Sequence, residues 1–160
     1  MTSNVPVVKQ VAWAYSIPQL LLLAFIAYGF YLLKFNNPAF IGALTYIALS
    51  FILKKVLAKA HREGMTLVKH QKYIEAIPCF EKSVIHFYKN KWLDNYRFLT
   101  LLSSSKLSYR EMGMCNIAFC YSQTGDGLKA KAIYQQVIKE YPENGLAIVA
   151  LNMINSVNKQ

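Results

Sequence analysis

Histidine and cysteine are the side chains of this chain that could bind a metal ion or attack a substrate, and their spacing favours neither role. His61 and His70 lie nine residues apart, which places them on opposite faces of a helix of about 3.6 residues per turn. Cys115 and Cys120 lie five residues apart, a poor spacing for chelation. Cys115 would be a nucleophile only beside a paired base, which the fold would have to supply. A structural or groove-lining thiol is therefore expected.

Other catalytic signatures are missing from the sequence. The eight acidic residues are too scattered to nominate a carboxylate pair, and no nucleotide-binding, serine-hydrolase or zinc-protease motif occurs. Three cysteines without a CxxC pair indicate buried thiols in a reducing compartment. The sequence thus predicts a protein that is not an enzyme and that uses no metal and no cofactor.

Two apolar stretches near the start of the chain predict a helical hairpin in a membrane. The first, 11–33, has 23 residues without a charge, and about 20 are enough for one crossing. After a polar turn, Pro38 suits the first position of the returning helix, 38–57. The text from Pro38 to His70 favours one long helix, or two nearly collinear ones, that leaves the membrane. Residues 1–10 would form a polar leader; a cleaved signal peptide, the competing interpretation, needs a shorter apolar core.

Basic residues flank the end of the second span, whereas the turn between the spans carries Lys34 alone. Those residues are Lys54, Lys55, Lys59 and Arg62. Because basic residues favour the cytoplasmic side, both termini should be cytoplasmic, in a multi-pass protein of the bacterial inner membrane type. The same residues should contact anionic membrane lipids. The net charge of +10 does not indicate nucleic-acid binding, because the other basic residues are mixed with acidic ones.

Gln19 and Ser50 are the polar side chains to explain inside the predicted spans. Folding the hairpin about Asn36 and Asn37 brings Gln19 near the depth of Ser50, which predicts a hydrogen bond between the helices. A conduction pathway is the alternative, and the lack of a charged residue in mid-membrane disfavours it.

Small and aromatic residues recur at matching intervals in the rest of the chain. Intervals of 12, 4 and 3 residues separate the members of two sets that lie 54 residues apart. The sets are Gly64, Ala76, Phe80 and Ser83, and Ala118, Ala130, Tyr134 and Val137. Each copy predicts helix, turn, helix, with the small residues allowing close approach and the aromatic ring filling the gap between the paired helices.

These copies resemble the tetratricopeptide repeat (TPR) family through EGMTLVKHQKYIEAIPCFEKSV and MCNIAFCYSQTGDGLKAKAIYQQVIKEYP. The resemblance implies that the first helix of each copy lines a concave groove for a protein partner. The groove residues that it implies are His61, Met65, Val68, Lys69, Met112, Cys115, Asn116, Phe119 and Gln123. Asn116 matches an asparagine of members that bind chaperone tails. The cationic residues of their carboxylate clamp are missing, so that activity is not implied.

An insertion separates the two copies, because 54 residues exceed the family's repeat length of about 34. Its apolar spacing predicts a helix near 91–110, and Ser108 with Glu111 predicts a capping box for the next helix. The insertion either packs on the repeat pair or docks a partner or the membrane through Trp92 and Phe98. A closing helix is expected near 145–157.

The sequence predicts an all-α protein, with an N-terminal transmembrane hairpin at 11–57 and a small TPR-like domain at 58–160. The expected function is a membrane-anchored, non-catalytic scaffold or adaptor that recruits or holds a protein partner. One alternative is a small accessory subunit of a membrane complex, bound through its hairpin. Another is a homo-oligomeric membrane effector or channel.

Overall fold

The computed structural model describes residues 12–157, so the expected leader at 1–10 lies outside the described residues. A 3-10 turn at Trp13–Tyr15 comes first. The helices of the described part are α1 Ser16–Leu32, α2 Pro38–Leu57, α3 Lys59–Lys69, α4 Tyr73–Lys89, α5 Lys91–Asn95, α6 Arg97–Thr100, α7 Tyr109–Gln123, α8 Gly127–Glu140 and α9 Gly145–Val157. The predicted all-α class is confirmed.

Helices α1 and α2 pack against each other as a hairpin. The turn between them holds Lys34 and Asn37 at φ of 58° and 59°, a left-handed conformation that asparagine tolerates better than most residues. The helices approach closely at Gly42, where a Cβ would lie 2.9 Å from the Cα of Ala27. This crossing therefore needs glycine at position 42.

The outer surface of the hairpin is apolar and uncovered. Both Trp13–Leu32 and Pro38–Leu57 are long and apolar enough to cross a membrane. No residue of α1 is buried, and Gly42 is the buried residue of α2. Large side chains such as Phe25 and Phe40 are 75% and 66% exposed. The hairpin thus buries little of its own apolar surface.

A break at Ala58 separates the hairpin from the helical domain. The text from Pro38 to His70 forms two helices rather than one, because α2 ends at Leu57 and α3 begins at Lys59. Ala58 is buried in an apolar cluster. The other buried members of that cluster are Phe87, Leu93, Leu101 and Tyr109. Packing inside the domain therefore fixes the point at which the hairpin ends.

The longer helices of the domain pack in chain order, with α3 on α4, α4 on α7, α7 on α8 and α8 on α9. In the first helix pair, a Cβ at Gly64 would lie 2.7 Å from Cε1 of the fully buried Phe80 ring. In the second pair, Ala118 and Tyr134 share one buried cluster. The predicted contact between a small residue and an aromatic ring is confirmed in the first pair.

The insertion forms two short helices, α5 and α6, where the sequence favours a single helix near 91–110. α6 ends at Thr100, and the chain runs without helix to Ser108. Arg97 holds this loop in place: its guanidinium donates hydrogen bonds to the carbonyls of Ser105 (3.1 Å), Lys106 (2.6 Å) and Asp94 (2.9 Å). The loop therefore has a defined path although it is not helical.

Asp94 ties the insertion to the start of α7. Its carboxylate accepts hydrogen bonds from the backbone N–H groups of Tyr109 (2.7 Å) and Arg110 (2.9 Å). Ser108 and Glu111 form the predicted capping box at the same helix end, which is confirmed. A carboxylate near a helix N-terminus is favoured by the helix dipole, so Asp94 stabilises α7 by charge as well as by hydrogen bonding.

We expect Gly64→Val to lower the free energy of unfolding by about 1–3 kcal/mol, because the new side chain would overlap the buried Phe80 ring. Gly127→Val is the matched control, since a Cβ at Gly127 meets no atom within 4 Å, and its effect should stay within about 0.5 kcal/mol. Urea unfolding of the full chain in detergent, followed by circular dichroism, measures both. Equal losses for the two variants would contradict the packing of α3 on α4.

We expect Asp94→Ala to lower the free energy of unfolding by about 2–4 kcal/mol, because it leaves two N–H groups at the α7 N-terminus without an acceptor. Asp126→Ala is the control: Asp126 accepts a hydrogen bond from the N–H of Lys129 at the exposed start of α8, so its loss should be smaller. The same unfolding assay applies. A loss for Asp94→Ala no larger than that of the control would show that the insertion is not held by this carboxylate.

Candidate functional site

The first helices of the two copies, α3 and α7, meet through side chains of the predicted groove. The Asn116 amide donates a hydrogen bond to the Met65 sulfur over 3.4 Å. The Phe119 ring packs edge-on against Tyr73, at the start of α4, with 5.9 Å between ring centroids. Met65, Asn116 and Phe119 are all half-buried. The structure therefore brings these three predicted residues into one surface.

Three further predicted residues extend that surface along the helices. Lys69, four residues after Met65, is exposed near the end of α3, and Gln123 is exposed at the end of α7. Met112 is half-buried one turn before Asn116. We call this surface the α3–α7 face; its residues are Met65, Lys69, Met112, Asn116, Phe119 and Gln123. The intervals on α7 are 4, 3 and 4 residues, which keeps its members on one side of the helix.

Three residues that the resemblance places in the groove, His61, Val68 and Cys115, are buried in the core instead. The His61 ring is packed edge-on between aromatic rings, 5.5 Å from Phe80 and 5.2 Å from Tyr109. These side chains point into the helix stack, so they cannot touch a partner. The family resemblance identifies the helices but does not tell which of their side chains turn inward.

Burial also sets the chemistry of these core groups. It lowers the pKa of His61 to about 4 and raises the pKa of the Cys115 thiol to about 12. The imidazole is therefore neutral and the thiol protonated at neutral pH. Because the thiolate is the reactive form of cysteine, Cys115 is inert as a nucleophile here.

The closing helix leaves the α3–α7 face uncovered. α9 packs on α8 and extends the stack by one helix. Its start is fixed by the buried Asn144, whose side chain donates to Glu111 over 2.8 Å and accepts from the N–H of Ala147 over 2.8 Å. The capping box of α7 and the cap of α9 thus share Glu111, and α9 is held at the end of the stack.

Basic residues at the end of α2 and in α3 line an open groove between these helices. Its volume is about 1070 Å³, with Lys55, Lys59 and Arg62 among the lining residues. Apolar lining comes from α2, chiefly Phe51 and Val56, and the Arg62 guanidinium lies 5.4 Å from the Phe51 ring centroid. Lys54, the fourth predicted basic residue, is half-buried in the last turn of α2. Glu63 also lines the groove, 4.0 Å from the Lys59 ammonium, so the rim carries three cations and one carboxylate, and an anionic head above the apolar floor would meet Lys55 and Arg62.

Gln19 has a different partner from the one that the hairpin geometry predicts. Its amide donates a hydrogen bond to the carbonyl of Phe98, 3.3 Å away in α6, instead of to Ser50. Helices α1 and α2 pack on each other at the Gly42 crossing, and Gln19 joins the hairpin to the insertion. Sequence reasoning could not find this contact, because its two residues are 79 positions apart.

Comparison of this chain with protein-family models, curated proteins and solved structures finds no match. Within residues 12–157, no group of three or more His, Cys, Asp and Glu side chains is placed to hold a metal ion.

Tyr73 and the apolar floor of the basic groove were not among the predicted site residues. Tyr73 belongs to the second helix of its copy, which the resemblance does not assign to the groove, yet its ring abuts Phe119. Phe51 and Val56 read as lipid-facing residues of a span. The break at Ala58 lets Arg62 of α3 lie over the Phe51 ring of α2, a contact that the sequence does not predict.

We expect acid to destabilise the domain through His61. The unfolded chain binds a proton with a pKa near 6.5, whereas the folded protein binds it only near pH 4. The free energy of unfolding should therefore fall as the pH drops from 6.5 towards 4, by a total of about 3 kcal/mol from this residue. Urea titrations of the full chain at a series of pH values measure that slope.

His61→Gln should flatten the slope between pH 6.5 and 4, even though it lowers stability at every pH. His70→Gln is the matched control, because it removes an exposed histidine after α3 and keeps the buried His61. An unchanged slope in His61→Gln would contradict the buried neutral imidazole.

Proposed function

We propose that this protein is a membrane-anchored, non-catalytic interaction module: α1 and α2 span the membrane, and the α3–α7 face holds a protein partner. The observation that carries the proposal is the uncovered apolar surface of the hairpin, on which only Gly42 is buried among the described residues of α1 and α2. Contiguous apolar surface of this extent is rare on monomers in water and typical of contact with lipid or another protein.

The distribution of basic residues indicates on which side of the membrane the helical domain lies. The groove at the end of α2 carries Lys55, Lys59 and Arg62, and the turn at the other end of the hairpin carries Lys34. The positive-inside rule therefore supports a cytoplasmic helical domain and cytoplasmic termini, as in a bacterial inner membrane. Anionic headgroups near the groove would add roughly 1 kcal/mol for each basic residue.

The α3–α7 face fits a peptide or helix with apolar side chains. Met65 and Met112 offer flexible thioethers, which adapt to different apolar partners. Phe119 adds a partly exposed aromatic ring, and Asn116 and Gln123 offer amides that pair with backbone groups. The TPR resemblance supports the same use, because that family binds peptides along the first helices of its repeats. The inert Cys115 supports binding rather than catalysis.

A second candidate, an accessory subunit or homo-oligomer assembled through the hairpin, is favoured by Gly29. A Cβ at Gly29 would meet no atom within 4 Å, so this glycine is not needed by the packing of α1 on α2. Small residues on a membrane helix allow a further helix to approach closely. Gly29→Leu would disrupt such an assembly on a native gel while leaving the hairpin intact.

Membrane extraction and protease protection test the proposed anchor and its orientation. We expect the full chain to stay in the membrane pellet after alkaline carbonate extraction. External protease applied to intact cells should leave the domain after Leu57 uncut. Recovery in the cytosol, or cleavage of the domain from outside, would overturn the proposed anchor and orientation.

The face is tested by photo-crosslinking in cells, with a photoreactive amino acid at Lys69 or Gln123, both exposed on the face. We expect a discrete crosslinked product that Phe119→Asp abolishes. A photoreactive group at Leu128, which is 82% exposed on α8, should not form that product. Leu128→Asp is the matched substitution and should leave it intact. Equal crosslinking from all three positions would contradict a specific partner on the α3–α7 face.

A further inference from the structure

The insertion lies against the first turns of α1. The N–H of Ala12 donates to the carbonyl of Ser104 over 2.9 Å, and the Gln19 amide donates to the carbonyl of Phe98 over 3.3 Å. The Phe98 ring stacks on Tyr15 with 5.2 Å between centroids. Contacts at Ala12 and Tyr15, just before α1, and at Gln19 in its first turns fix the insertion beside this end of the hairpin.

The other side of α5 and α6 is apolar and bare. Trp92, Tyr96 and Leu99 are 58%, 56% and 43% exposed, at intervals of four and three residues. Leu93 and Arg97, between them in sequence, are buried. The segment 91–100 is therefore amphipathic, with one side packed on the domain and an exposed aromatic side, on which the Tyr96 ring packs edge-on against Phe98 with 6.2 Å between centroids.

The charges of the segment suit an anionic surface. Asp94 is the one acidic residue between Glu81 and Glu111, and its carboxylate is turned inward onto the start of α7. Lys91 and Lys106, at either end of the insertion, are exposed. Lys106 lies 3.9 Å from the exposed carboxylate of Glu143, so anionic headgroups beside the segment 91–100 would meet Lys91 and no exposed carboxylate of the segment itself.

The packing of α1 on α2 indicates how deep the segment 91–100 lies in the membrane. The contact of Gly42 with Ala27 sets the register of the hairpin and puts Gln19 level with Ser50, four residues before Lys54 in α2. Phe98, the partner of Gln19, therefore lies within about 6 Å of the level of Lys54, where the apolar part of α2 ends. Amphipathic helices that lie in the membrane interface are buried to about 5–10 Å. Trp and Tyr are also the residues enriched at that level.

We infer that the segment 91–100 lies in the headgroup layer of the membrane, with Trp92, Tyr96 and Leu99 inserted among the lipids. This second anchoring point rests on the proposed transmembrane hairpin. It adds a lipid contact to the protein contacts that hold the insertion beside the hairpin, and so presents the α3–α7 face at a constant angle to the membrane.

The test uses the two tryptophans of the chain as separate reporters. Trp13→Phe leaves Trp92 as the single tryptophan of the full chain, reconstituted in vesicles of phosphatidylcholine and phosphatidylglycerol. We expect blue-shifted Trp92 emission. Lipids brominated near the headgroup end of the acyl chains should quench it more strongly than lipids brominated near the methyl end. Iodide in the buffer should quench it weakly.

Trp92→Phe leaves Trp13 and reports on the hairpin. If bromolipids quench Trp13 in this variant while iodide quenches Trp92 in the Trp13→Phe variant, the interfacial location of the segment 91–100 is wrong and the proposed anchor stands. Failure of the protein to float with the vesicles would overturn the anchor itself. If neither iodide nor bromolipid quenches Trp92, the surface is covered by protein, such as a second copy, and the inference is wrong.

Tyr96→Asp with Leu99→Asp gives an independent measurement in the Trp13→Phe background. We expect the double substitution to shift Trp92 emission to the red and to expose it to iodide, because two carboxylates would be expelled from the headgroup layer. Leu128→Asp, on the exposed start of α8, is the matched control and should change neither. An unchanged spectrum in the double variant, with the fold intact by circular dichroism, would contradict the inference.

Discussion

Apolar side chains that the hairpin cannot cover are the constraint on which the rest of this structure depends. α1 and α2 are joined by a tight turn and cross closely at Gly42, so little of their surface faces inward. Two helices alone cannot bury side chains such as Phe25 and Phe40, which must meet lipid or other protein. The basic groove after the hairpin and the aromatic side of the insertion both lie at the end of this apolar surface where the helical domain begins.

Helix α7 organises the helical domain. It packs between α4 and α8. Hydrogen-bonding groups from three parts of the chain meet at its first turn. Asp94 reaches it from the insertion, Ser108 and Glu111 cap it, and Asn144 connects it to α9. Each of these groups is satisfied by a partner, so the buried charges and amides define one arrangement of the elements. An insertion of two short helices is accommodated in this way without interrupting the stack.

The sequence by itself determined the long helices and their order, but not the two short helices of the insertion. Apolar stretches without charge identify α1 and α2, because a span needs a length of apolar residues that few soluble helices have. Matching intervals around Phe80 and Tyr134 identify the paired helices, because close packing requires a small residue opposite a ring. The Ser108 and Glu111 capping box marks the start of α7. These signals are local, since each depends on residues within a few turns of one another.

Only the tertiary structure decided which side chains reach the surface and how the insertion is placed. His61 and Cys115 lie on helices that the sequence identifies, yet the rotation of each helix in the stack turns them into the core. Gln19 meets Phe98 rather than Ser50 because the insertion folds back onto α1, a contact between residues 79 positions apart. The physical reason is that helix formation follows from neighbouring residues, whereas burial depends on contacts between segments that the local pattern does not encode.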